Sequence, residues 1–145
     1  MALYDDTKFV LRNWVVILND KYYLFLDGTC IVHGNKYDRY SVDRLVNIDH
    51  DPTKTKYVNY TDTDFYTKTF PLVKNLLHTI CQKCISPNIK TDKQSYQVIG
   101  SDIIFTDTYD PYLIEINAWP NMSAKNIKDV KFFDHFIAEL ILPTL

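Results

Sequence analysis

Glycine is nearly absent: Gly28, Gly34 and Gly100 are the only three in 145 residues. Phosphate-cradling loops of the Walker or dinucleotide-binding kind need several glycines at close spacing, so both are excluded. Cysteine is scarce and odd in number, three in all, which argues against a disulfide framework and for a reducing compartment, cytoplasmic or nuclear. No apolar run approaches the roughly 20 residues that span a bilayer, and the N-terminus carries no signal-peptide core, so no membrane partner is expected. An excess of one charge is lacking as well. The net charge is −2 with scattered lysines and arginines, which gives no electrostatic case for nucleic acid or an anionic surface. Asn59-Tyr60-Thr61 and Asn121-Met122-Ser123 fit the glycosylation pattern and are read as chance matches in a cytoplasmic chain.

What is present is apolar and aromatic: 46% hydrophobic and 14% aromatic residues, well inside the globular range. The length suits one domain, residues 1–145, burying about two-thirds of its unfolded surface. Two β-branched runs, Gly100 to Asp107 and Tyr112 to Asn117, flank the turn Thr108-Tyr109-Asp110-Pro111 and predict a β-hairpin. Symmetric pairing about that turn sets Asp102 against Asn117 and Ile104 against Glu115. Ile103, Phe105, Ile114 and Ile116 then form an apolar face over a core. The opposite face gathers Asp102, Glu115 and Asn117. One reading of that face is a solvated polar surface; the other is a set of hard oxygen ligands suited to Mg²⁺ carrying a polyphosphate.

Upstream, Lys8 to Leu18 reads as a strand, and the turns Asn19-Asp20 and Asp27-Gly28 lead into Lys21 to Leu26 and Thr29 to Val32, a three-stranded antiparallel meander. A period of two puts Lys8, Val10, Arg12, Trp14 and Val16 on one face. Phe9, Leu11, Val15 and Ile17 lie on the other, with Asn13 interrupting. Lys8 can snorkel, but the fork of Arg12 on a mostly apolar face calls for an anion. Residues 35–62 show no clear period, and His50 between Asp49 and Asp51 reads as a solvated turn rather than a metal site. From Asp64 to Ile85 a helix is predicted, with Pro71 in its first turn and Leu72, Leu76, Leu77, Ile80 and Cys84 as the buried stripe. His78, Cys81 and Cys84 share a helical face but lack a second zinc half-site, so they read as core positions. A last helix, about Ala124 to Leu142, carries Ile127, Val130, Phe133, Ile137, Leu140 and Ile141 along one side. The expected fold class is α+β, a mostly antiparallel sheet with helices packed on one face.

These segments, taken in order, resemble the tubulin–tyrosine ligase-like branch of the ATP-grasp superfamily, C-terminal half only. That branch has an Asp on one strand and Glu-x-Asn on the next, matched by Asp102 and by Glu115-Ile116-Asn117. It has a Lys-Phe-Asp-x-Arg strand, matched by Lys8-Phe9-Val10-Leu11-Arg12, and then an aromatic strand, matched by Tyr22-Tyr23-Leu24-Phe25. Val10 replaces the family's Asp, and no Arg follows Gly28, where His33 or Lys36 would have to substitute. Of a His-x-Thr-Asn element, Asn59-Tyr60-Thr61-Asp62 keeps only Thr61.

The resemblance implies an ATP-grasp C-terminal-subdomain-like fold that binds ATP and Mg²⁺. Asp102, Glu115 and Asn117 would hold the metal; Lys8, Arg12 and Thr61 would contact the nucleotide, with Arg12 also catalytic. The implied reaction is ligation of an amino acid (Tyr, Glu or Gly) to a protein carboxylate through an acylphosphate. Tubulin or another protein would be the acceptor, and a further subunit would complete the ATP site. The alternative is a non-catalytic ATP-grasp remnant serving as a structural or interaction module, and a third reading makes the likeness fortuitous.

Overall fold

The computed structural model describes residues 1–19, 21–47, 51–85, 87, 96–120 and 134–144. Its axis is the 12-residue strand β1, Thr7–Leu18, buried on one face along its first half and on both faces from Asn13 to Ile17. Strand β5, Tyr96–Phe105, runs antiparallel along one edge of β1, from Leu11↔Ile103 to Leu18↔Tyr96. The other edge is shared. Strand β2, Lys21–Leu24, covers the second half of β1, and strand β3, Thr29–Lys36, covers the first half. The predicted meander is therefore corrected: β3 pairs with β1, not with β2, and the two short strands form one interrupted strand.

Asn13 explains the interruption. Its side-chain amide donates to the carbonyls of Phe25 at 3.2 Å and Asp27 at 2.5 Å, where the ladder is broken. A buried polar residue amid an apolar run satisfies backbone groups that a strand partner would otherwise take. Strand β4, Lys56–Asn59, adds outside β3, and strand β6, Pro111–Asn117, outside β5, giving the order β4-β3-β1-β5-β6 with β2 beside β1. The short helix α1, Arg44–Asn47, and β4 lie in the stretch that shows no sequence period.

Helix α2, Tyr66–Ile80, covers one face and continues as a wider turn, Cys81–Ile85. Its buried stripe is Thr69, Val73, Leu77 and Cys81, at i, i+4 spacing. This corrects the expected stripe, because Leu72 and Cys84 are exposed. Thr69 takes a core position since its hydroxyl is satisfied, donating to the Phe65 carbonyl at 2.8 Å and meeting the Tyr60 hydroxyl. Pro71 stands inside the helix and not in its first turn. The core beneath joins α2 to Phe9, Leu11, Val15, Ile17, Ile103 and Phe105.

The opposite face has its own cluster, Trp14, Val16 and Phe25 under Phe136 and Leu140. The Phe136 ring meets Trp14 at 5.8 Å and Phe25 at 5.2 Å, both edge-to-face, the geometry aromatic quadrupoles favour. Helical residues thus cover both faces, which corrects the single-face expectation; the C-terminal helical turn, Ile137–Ile141, lies across from α2. The predicted positions Ile127, Val130 and Phe133 fall outside the described residues. The architecture is α+β on an antiparallel sheet, as expected.

Candidate functional site

The hairpin forms, but in a different register. Asp102 faces Glu115, Gly100 faces Asn117, and Ile104 faces Tyr112. The turn closes earlier than predicted: Thr106 N–H donates to the Asp110 carbonyl at 2.9 Å, and the Thr108 hydroxyl donates to the Asp110 carboxylate at 2.6 Å. Tyr109 holds φ at 70° and sets its ring 5.4 Å from Phe65. A bulge between Asp102 and Ile103 then shifts the ladder by one residue. Beyond the bulge, at Asp102, Glu115 and Asn117, the net displacement is two residues, so these side chains keep their common face; on the turn side it is three, and the faces of β6 exchange there. Ile103 and Phe105 are buried as expected, but Ile114 and Ile116 are exposed, and Leu113 packs on the core in their stead.

Register places Arg12, Asp102 and Glu115 in one row across β1, β5 and β6. The Arg12 fork grips Asp102 with both arms: Nε donates to Oδ1 at 2.7 Å and Nη2 to Oδ2 at 2.6 Å. Hydrogen bonding to Asp102 first, then the fields of Asp102, Glu115 and Tyr57, hold the guanidinium above its already high ordinary pKa, against the opposing effect of burial. Asn117 Nδ2 donates to Glu115 Oε1 at 3.0 Å. Four of the predicted residues are therefore neighbours on the face that also carries Lys8.

Lys8 and Thr61 stand apart from that row. Lys8 lies four residues from Arg12, roughly 13 Å along the strand; its Nζ donates to the Asn47 carbonyl, and burial lowers its pKa. Thr61 is bound to Asp27, donating through its N–H at 2.9 Å and its hydroxyl at 3.0 Å. Asp27 also accepts from the Gly28 N–H at 2.7 Å, and desolvation, the largest influence, raises its pKa. Val10, without a polar atom to offer, shares the face of Lys8 and Arg12. His78 meets the Tyr22 hydroxyl at 2.6 Å, while Cys81 is buried with its thiol pushed up to about 11 and Cys84 is exposed, so these three do not converge. His50 lies outside the described residues; Asp51 closes a turn on Thr53.

Sequence reasoning missed two contributors. Tyr57 on β4 reaches the field of Arg12, and its segment carried no periodic signal. Pro120 lies over Gly100: a Cβ there would stand 2.7 Å from the Pro120 Cβ and 3.9 Å from the Arg12 Cδ. The signal available was the rarity of glycine itself.

Asp102, Glu115 and Asn117 offer only oxygen ligands, the chemistry of Mg²⁺. Asn117, donating through nitrogen, leaves its amide oxygen available, as is Glu115 Oε2; each Asp102 oxygen retains a lone pair beside its Arg12 bond. The donor set fits such an ion. Among the described residues, no three His, Cys, Asp or Glu side chains converge, so the amide is needed to complete it.

One hairpin thus carries a set of oxygen donors beside a guanidinium fixed on the neighbouring strand. Comparison with known proteins is more specific: residues 47–145 match the Tubulin-tyrosine ligase family. The chain belongs to that family. Over 70 residues it is 30% identical to Tubulin glycylase 3F of Tetrahymena thermophila, covering 48% of this chain and 7% of the glycylase. The chain thus spans a small fraction of the length of this relative. Among the described residues, no helix is long and apolar enough to cross a membrane.

Proposed function

We propose that the chain serves ATP- and Mg²⁺-dependent ligation of an amino acid to a protein carboxylate, with an acylphosphate as the activated species, in the cytoplasm. Tubulin is the proposed acceptor, in keeping with the family and with the named glycylase relative. The observation carrying this reading is the row Arg12–Asp102–Glu115, with Asn117 bonded to Glu115. Asp102, Glu115 and Asn117 would hold the ion, which when bound neutralises charge on phosphoryl oxygens. Arg12 would bind and orient those oxygens and stabilise charge developing on them. Lys8 supplies a second cation on the same face, and Thr61 shapes the β2–β3 junction through Asp27. A further polypeptide, covalently joined or separate, would supply the remaining walls of the nucleotide site.

Calorimetric titration with Mg²⁺-ATP tests the reading. Wild-type chain is expected to bind in the micromolar range, about −8 kcal/mol, and Glu115→Gln to lose that binding. A second reading, a non-catalytic module, is favoured by one observation, the apolar Val10 beside Arg12. Silence of both wild type and Glu115→Gln in the titration favours it.

A further inference from the structure

In a metal site, Asp102 has two rival cations. Arg12 takes both of its oxygens, at 2.7 and 2.6 Å, and a bidentate fork of this kind is among the strongest hydrogen-bonded pairs. A divalent ion arriving alone must draw charge from a carboxylate already neutralised, and it adds a second positive charge beside the guanidinium. No gain offsets that repulsion. The other carboxylate is partly engaged as well, since Glu115 Oε1 accepts from Asn117.

A polyphosphate alters the balance. Phosphate oxygens accept the Arg fork with the same planar geometry as a carboxylate, and they bring the cation with them. The Arg12 stem is bounded where the Pro120 loop closes over Gly100, with its Cδ 3.9 Å from the position a Gly100 Cβ would take. Freedom is left to the head group, whose side chain is 19% exposed.

We infer that Arg12 makes the site select a metal–polyphosphate complex over the free metal, because it releases Asp102 only to take phosphate oxygens. The inference rests on the reading given under Proposed function and adds its ligand specificity. Binding of anion and binding of metal are then coupled through one side chain, and such coupling is reciprocal.

The test uses Mn²⁺ as a paramagnetic probe and reads broadening of the Asn117 side-chain amide signal in the ¹⁵N-labelled full chain. Mn²⁺-ATP is expected to broaden that signal in wild type, and Mn²⁺ alone to leave it sharp at the same concentration. Arg12→Gln is expected to respond to Mn²⁺ alone at a concentration about tenfold below that needed by wild type, within the usual range of site coupling. Equal broadening of wild type by Mn²⁺ and by Mn²⁺-ATP overturns the inference and leaves the ligase reading standing. Failure of Mn²⁺-ATP to broaden wild type overturns the inference together with the reading that this chain by itself holds the metal–nucleotide complex. A folded Arg12→Gln that gains nothing shows that Arg12 is not the selector; should this variant not fold, the wild-type pair of measurements decides.

Discussion

Arg12 and Asp102 are linked by two short bonds, with side chains 19% and 11% exposed. That places them nearer the buried than the surface class of ion pair. Asp102→Asn is therefore expected to destabilise the fold by about 2 kcal/mol, less than the full loss at a dry site and more than the fraction typical at a surface. Urea unfolding measures it, and a loss under about 0.5 kcal/mol would class the pair with surface contacts. Asp27 behaves in the opposite sense. Desolvation raises its pKa in the folded state above the usual 3.8, so the folded chain holds that proton more firmly than the unfolded one. Stability from this group is present at low pH and is lost as pH rises through the folded value. Asp27→Asn keeps an oxygen for the Gly28 and Thr61 N–H groups and has no proton to lose. Its stability relative to wild type should therefore grow as pH rises from acid toward neutrality; urea midpoints that stay parallel across that range would refute this account.

At the scale of elements, two local conflicts are informative. Pro71 sits in the sixth position of α2, Tyr66–Ile80, where a backbone N–H would ordinarily bond to the preceding turn. Pro71→Ala restores that donor at an exposed position, offset in part by the greater freedom of the unfolded chain. A net gain on the order of 1 kcal/mol is expected, seen as a higher thermal midpoint. Gly100 is the converse. A Cβ there would stand 2.7 Å from that of Pro120, and a ring carbon tied to backbone cannot step aside as a flexible chain end can. Gly100→Ala should cost about 1–3 kcal/mol and displace the loop beside Arg12, so that nucleotide binding falls together with stability.

Across the whole molecule, the two faces of β1 build two separate cores. The α2 face is the larger; the other depends on Phe136 meeting Trp14 and Phe25. Phe136→Ala should remove about 3 kcal/mol of stability and shift Trp14 emission to the red. Trp119, which is 92% exposed, supplies a constant red background against which that change is read. An unshifted spectrum would mean that the C-terminal turn does not seal this face. The same face carries the Arg12–Asp102–Glu115 row, so the second core also braces the sheet from which the proposed ligands project.

Sequence alone determined the period of β1, and with it the division between Phe9, Leu11, Val15, Ile17 and Lys8, Val10, Arg12, Trp14, Val16. It also determined that Asp102, Glu115 and Asn117 share a face, since parity survives any even slip in register. Tertiary structure decided what depends on partners distant in the chain. The two-residue slip came from hydroxyl–carboxylate closure of the Thr106–Asp110 turn and a bulge after Asp102. The split of β2 from β3 came from Asn13 capping the carbonyls of Phe25 and Asp27. Thr61 went to Asp27, and Asp102 to Arg12, 90 residues away in sequence. Periodicity records which way a side chain points; which oxygen meets which nitrogen emerges only when the strands lie side by side.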